Sequence, residues 1–171
     1  MKLVQVKNLA CNLMNENGLD INKWGFNFNN RKRAIGVCFF NTYEKNRIEL
    51  SRHFAELNDF SIISQVILHE IAHAIAGHEV GHGRKWQVIA RRIGVKNPSP
   101  YADGAIMEYK YRYKCDKCSY LKGGRHRKPK RDILGTHKGC GGLVTIEKVN
   151  NLEVLESDKV KRDSLSYNGD L

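Results

Sequence analysis

The sequence predicts an α+β protein: helices packed on a small antiparallel sheet, followed by a small, separate β module. Three observations carry that prediction. Apolar residues recur at a helical period over residues 2–16 and 61–76, and they alternate at a strand period in between. Beyond residue 105 the chain changes character, with closely spaced cysteines and a dense positive charge.

Val6, Leu9, Ala10 and Leu13 fall at i, i+3, i+4 and i+7, so residues 2–16 form an amphipathic helix that Asn17-Gly18 stops. "WGFNFN" alternates, with Trp24, Phe26 and Phe28 on one face, which is the pattern of a half-buried strand. "RAIGVCFF" is apolar on both faces and reads as an interior strand. The polar link "NTYEKN" joins it to "RIELS", whose Ile48 and Leu50 share a side. These segments make up the expected antiparallel sheet.

From Ser61 the period becomes helical again. Ile63, Val66, Ile67, Ile71 and Ala74 define a helix to about Ala76, with Asn58, Asp59 or Ser61 as its cap and Gly77 as its end. A further helix follows Gly83, with Trp86, Ile89, Ala90 and Ile93 inward and Gly94 closing it. "NPSPYADG" holds two of the three prolines and reads as a linker, which bounds a first domain at 1–104. A second module, 105–150, opens with "EYKYRYK" and closes with the strand "GLVTIEKV". Residues 151–171 are polar, nearly free of aromatics, and expected to be a flexible tail.

No run approaches the roughly 18 apolar residues that cross a bilayer, and the N-terminus lacks a signal-peptide pattern. Five cysteines, an odd number, do not make a disulfide framework. A cytoplasmic, monomeric chain with no membrane partner is expected. The net charge of +11 is uneven: 14 Lys/Arg against 9 Asp/Glu in 1–105, 12 against 4 in 106–150, and 3 against 5 in 151–171. The middle segment, at +8, is where a polyanion would bind, placing the chain with DNA or a nucleoid.

"HEIAHAIAGHEVGHG", residues 69–83, concentrates the chemistry. His69 and His73 are four apart on one helix, about 40° apart around it, so both imidazoles reach one ion. Glu70 flanks that ion without binding it, and can take the proton of a water activated there and pass it to a leaving amine. Chance gives only about 0.016 such pentapeptides in a chain of this composition. A zinc site with two ligands needs a third. A metzincin would have glycine at 76 and histidine at 79, where this chain has Ala76 and Glu79. His78 would face away if the helix continued, whereas the turn Gly81-His82-Gly83 lets the chain double back. His82 is therefore expected as the third ligand, with His78 the alternative and Glu79 or Glu108 more distant options.

H-E-x-x-H, then G-H-G at 81–83, then Trp86 and the helix-closing Gly94, resembles the SprT-like family of zinc metallopeptidases, which includes a protease of DNA–protein crosslink repair. The resemblance implies a zincin-like, minigluzincin-type fold and assigns the third ligand to the histidine of the G-H-G, here His82.

Cys115-x2-Cys118-x18-His137-x2-Cys140 has the spacing of a zinc ribbon. Four closed ligands leave no open position, so this zinc is expected to be structural. Gly141-Gly142 suits the tight knuckle, and His126 is the alternative to His137. SprT-like proteins commonly carry such a ribbon, usually with four cysteines; His137 stands where the third is expected. Two zinc ions per chain follow, one catalytic and one structural.

Lys110, Arg112 and Lys114 with Lys122, Arg125, Arg127, Lys128, Lys130 and Arg131 make the ribbon basic, fit to neutralise phosphates without reading bases. Tyr109, Tyr111 and Tyr113 are read first as the ribbon's packing, second as stacking platforms for unpaired bases. The expected function is a zinc endopeptidase with Glu70 as general base and then acid, and Tyr101 or Tyr43 as oxyanion stabiliser. One strand of the "RAIGVCFF"/"RIELS" pair would receive an extended peptide. The resemblance implies protein substrates bound or crosslinked to DNA, with single-stranded or non-specific DNA activating cleavage. The rivals are a peptidase with one regulator as target, and a non-enzymatic DNA-binding protein whose zinc only stabilises the fold.

Overall fold

The computed structural model describes residues 2–98, 109–118 and 124–149. The chain divides into two compact units, Met1–Ile106 and Met107–Leu171. The first runs α1 (Lys2–Glu16), β1 (Trp24–Asn29), β2 (Gly36–Phe39), β3 (Asn46–Ser51), α2 (Arg52–Leu57), α3 (Phe60–Ala76) and α4 (Arg84–Arg92). The second holds β4 (Tyr111–Cys115), β5 (Gly124–Arg125), β6 (Gly135–Thr136) and β7 (Leu143–Lys148). The mixture of helices and small sheets is the α+β class.

The first sheet departs from expectation in two ways. Its order is β1-β3-β2, and β1 pairs with β3 in parallel, Phe26 opposite Ile48 and Phe28 opposite Leu50, while β2 and β3 are antiparallel. The link between β1 and β2, residues 30–35, is too long for a tight hairpin and carries no Asn-Gly or Asp-Gly turn. It crosses the end of β3 instead, where the Ser51 hydroxyl donates to the Arg31 carbonyl (2.6 Å) and the Ser51 amide to Ile35 (2.7 Å). Secondly, β2 is an edge strand and β3 the interior one. The apolar outer face of β2 is covered by cations rather than by another layer: the Arg47 and Arg31 guanidiniums lie 4.5 and 5.2 Å from the Phe39 ring centre.

The inner face of this sheet presents Trp24, Phe26, Ile48 and Leu50, all buried, to the helices. α1 contributes Val6, Ala10 and Met14, one helical turn apart each. Phe54 comes from α2, a six-residue helix too short to show a period in the sequence, capped by the Ser51 hydroxyl accepting from the Phe54 amide (3.4 Å). α3 supplies Ile63, Ile67 and Ile71, and α4 supplies Trp86 and Ala90. Asp59 is the N-cap of α3, its carbonyl accepting from the Ile62 and Ile63 amides.

In the second unit the sheet order is β5-β4-β7-β6, antiparallel throughout. Cys115, at the end of β4, is fully buried. The linker from residue 99, Tyr101, Lys122 and the tail 151–171 lie outside the described residues.

Candidate metal centres

Two clusters of metal-ligating side chains occur among the described residues: His69, His73 and His82, and Cys115, Cys118, His137 and Cys140.

The first is built by α3 and the turn after it. α3 presents His69 and His73 one turn apart, with ring centres 5.0 Å apart. Gly77, at φ 104°, ends the helix in a conformation that side chains rarely adopt, and its amide still donates to the His73 carbonyl (3.0 Å). The chain then returns through Gly81-His82-Gly83 into α4. The His82 Nε2 stands 3.0 Å from both His73 Nε2 and His69 Nε2. Tetrahedral zinc with Zn–N of about 2.05 Å sets its nitrogens about 3.3 Å apart, so the three Nε2 atoms are already gathered at ligation spacing.

The protonation states suit a cation. Burial, then the His73 and His82 charges, pushes the His69 pKa down to about 3; burial also lowers His73 and His82. All three imidazoles are therefore neutral near pH 7 and offer lone pairs. The Val80 backbone accepts a hydrogen bond from the His73 ring; since Nε2 faces the cluster, the donor is Nδ1. The Gln87 side-chain amide donates to the His82 carbonyl (3.2 Å), tying that turn to α4.

Trp86, fully buried on α4, floors the cluster. Its ring lies 4.7 Å from His69 and His82 and stacks on His73 at 5.2 Å, centre to centre. Its indole N–H has no acceptor among the described residues. His78 is elsewhere: it is exposed and meets Phe40 edge-to-face at 5.5 Å, outside the cluster.

Glu70 is buried at 7 % exposure, and burial raises its pKa to about 8 against an opposing hydrogen bond from the Cys38 backbone. β2 packs on it closely. A Cβ at Gly36 would sit 2.6 Å from Glu70 Oε1 and 2.8 Å from its Cγ, so only glycine fits there. Sequence reading missed this contact, although a glycine inside the apolar strand "RAIGVC" is the usual mark of a close approach. Cys38, facing the same carboxyl, has its thiol pushed up to about 12 by burial and then by the Glu70 charge. It stays a neutral thiol.

In the second cluster Cys115 Sγ lies 3.4 Å from Cys140 Sγ, and His137 Nδ1 lies 3.3 Å from Cys118 Sγ and 3.1 Å from Cys140 Sγ. Zinc with Zn–S of about 2.3 Å holds such donors about 3.5–3.8 Å apart, so this donor set also fits. Backbone hydrogen bonds from Cys118, then Lys117, draw the Cys115 thiol down to about 6. A Cβ at Gly142 would stand 2.5 Å from Cys115 Sγ, so the knuckle requires glycine there. His126 is not in the cluster; its ring lies 5.7 Å from Tyr109.

Of the cations expected to bind phosphate in the second unit, Lys110, Lys114, Arg125, Arg127, Lys128, Lys130 and Arg131 are exposed and Arg112 is half-buried. Lys114 pairs with Glu147 (3.5 Å) and Lys128 with Asp132 (3.7 Å), exposed pairs worth at most ~1 kcal/mol. Arg125 Nε donates to the Tyr113 hydroxyl (2.8 Å), which makes that tyrosine part of the packing. Tyr43 is 96 % exposed.

The SprT-like family model matches residues 7–105, the span that carries the first cluster, Glu70 and Trp86. The chain belongs to the SprT-like family. This family is associated with metallopeptidase-like proteins. The cluster of Cys115, Cys118, His137 and Cys140 lies beyond the matched span. Neither the curated proteins nor the solved structures gave a match.

Proposed function

We propose that this SprT-like chain is a zinc-dependent endopeptidase of zincin-like arrangement, with residues 1–104 as peptidase domain, 105–150 as a basic zinc ribbon, and DNA-associated proteins as substrates. The observation that carries the reading is the convergence of three neutral imidazole nitrogens beside a buried carboxyl. His69, His73 and His82 would hold the catalytic zinc, and Cys115, Cys118, His137 and Cys140 a structural one. When bound, the catalytic zinc supplies Lewis acidity toward water and a peptide carbonyl.

Glu70 is the general base and then the general acid. Burial brings its pKa near neutrality, where one carboxyl both accepts and returns a proton. A divalent cation on the imidazoles acts against that rise and favours the carboxylate. The Cys38 amide and the close approach of Gly36 fix the carboxyl's place. A role for the metal in stability alone gives no reason to bury an ionisable carboxyl there, since burial without full pairing costs stability.

β2 is an edge strand and its inner face touches Glu70, which supports the addition of an extended peptide to that edge as the mode of substrate binding. The ribbon's exposed cations support a DNA phosphate contact that brings peptidase and DNA-bound protein together. The test is cleavage of a DNA-binding protein with and without single-stranded DNA. Acceleration by DNA that fades as salt rises is expected. Cleavage indifferent to both would remove the DNA-associated reading and favour a peptidase with one regulator as target.

A further inference from the structure

The solvent face of α4 carries a charge that the metal site does not use. From Val80 to Pro98 the chain has five cations, Arg84, Lys85, Arg91, Arg92 and Lys96, and no acidic residue. None of the five pairs with a carboxylate among the described residues. On a helix of 100° per residue, Trp86 and Ala90 define the side turned to the imidazoles. Arg91, Arg84, Arg92 and Lys85 lie about 140°, 160°, 240° and 260° round from Trp86, on the opposite side. Val88, 57 % exposed, sits among them.

A face selected only for solubility mixes both signs. It would also place acids, not cations, in the first turn, where the helix macrodipole is positive. Arg84 and Lys85 stand in that first turn, which has no acid, so the helix gives up stability to keep them. From Lys85 to Arg92 the helix rises about 10.5 Å, enough to follow several phosphates of a strand.

We infer that this face of α4 is a phosphate-backbone contact for nucleic acid on the peptidase domain itself, distinct from the ribbon. The same helix carries Trp86 beneath the imidazoles and holds the His82 turn through Gln87, so nucleic acid bound there sits directly behind the metal cluster. The inference does not depend on the ribbon binding DNA.

The test compares oligothymidylate binding across a salt series for the full chain and its Arg84→Gln/Lys85→Gln/Arg92→Gln variant. Arg91 is left intact because its guanidinium meets Gln87 (3.4 Å). Each lost single-strand phosphate contact removes about 0.7 from the slope of log affinity against log salt, so a fall of about 2 is expected. Zinc content and DNA-free peptide hydrolysis should stay at wild-type level, and Arg84→Lys/Arg92→Lys should keep the slope. A Lys128→Gln/Lys130→Gln/Arg131→Gln variant reads the ribbon separately. An unchanged slope in the α4 variant overturns the inference whatever the ribbon variant does. So does loss of the slope in the lysine variant, or displacement of oligothymidylate by poly-glutamate at equal charge concentration, which would mark an acidic protein as the occupant.

Discussion

Gly36→Ala is the most economical test of how β2 serves the carboxyl. The added Cβ would fall 2.6 Å from Glu70 Oε1, 2.8 Å from Cγ and 3.0 Å from Cδ, whereas ordinary contact begins at 3.4 Å. Either the strand or the glutamate must retreat by about 0.8 Å. Glu70 is buried and its carboxyl has little room to yield, and β2 is held through Cys38↔Ile48 and Gly36↔Leu50 pairing to β3. Overpacking of this kind costs about 1–3 kcal/mol of stability. Displacing a general base by close to an ångström costs on the order of 10²-fold in rate. The assay is kcat/KM on an unstructured protein, with zinc content and melting temperature measured alongside. The expected result is a loss of about 100-fold with both zincs retained. Gly25→Ala is the control: it lies in the same sheet, with its nearest neighbour, the Asn46 carbonyl, at 4.0 Å, and should keep full activity. A Gly36→Ala enzyme within threefold of about wild-type rate would refute the role assigned to β2.

Other outcomes follow from the same geometry. His82→Ala should lose zinc from the first cluster and His78→Ala should not, read by metal analysis; the reverse result would move the third ligand to His78. Gly142→Ala, whose Cβ would meet Cys115 Sγ, should lose the second zinc while the first stays bound. In the metal-free chain, pH dependence has two arms. Glu70's pKa, raised from 4.5 to about 8, gives stability that is present below 4.5 and lost as pH rises toward 8. His69's, lowered from 6.5 to about 3, gives stability present above 6.5 and lost as pH falls toward 3, with His73 and His82 shifted the same way. The imidazole arm acts below pH 6.5, and between 6.5 and 8 only the Glu70 arm acts. Melting in EDTA, followed by the fluorescence of Trp24 and Trp86, should show the alkaline fall in wild type and not in Glu70→Gln. An identical fall in both would contradict the burial of an ionised Glu70 as its cause.

The helices and the clustering of the metal-ligating side-chain types were legible because both rest on local spacing. The spacing of four from His69 to His73 set a shared helix face, and Gly81 and Gly83 around His82 announced a turn, without knowledge of what packs where. The first sheet was not legible in the same way. Whether β1 pairs with β2 or with β3 is decided by how residues 30–35 cross the end of β3, a long-range matter that alternation of Trp24, Phe26 and Phe28 does not encode. β2 looked like an interior strand because Val37 and Phe39 are apolar, and the covering group turned out to be two arginines. α2 was hidden by its length. Gly36 was visible as a letter, but its partner, Glu70, lies 34 residues away, so only the packed structure ties the strand to the base.

The central claim is that Glu70 acts on chemistry enabled by the three imidazoles. Glu70→Gln keeps the side chain's size and removes its ability to accept a proton. Zinc content and protein hydrolysis measured on the same preparation decide the matter. Two zinc ions per chain are expected in both proteins, with a fall in hydrolysis on the order of 10²–10⁴-fold or more in the variant. Hydrolysis equal to wild type, with zinc in place, would contradict the claim.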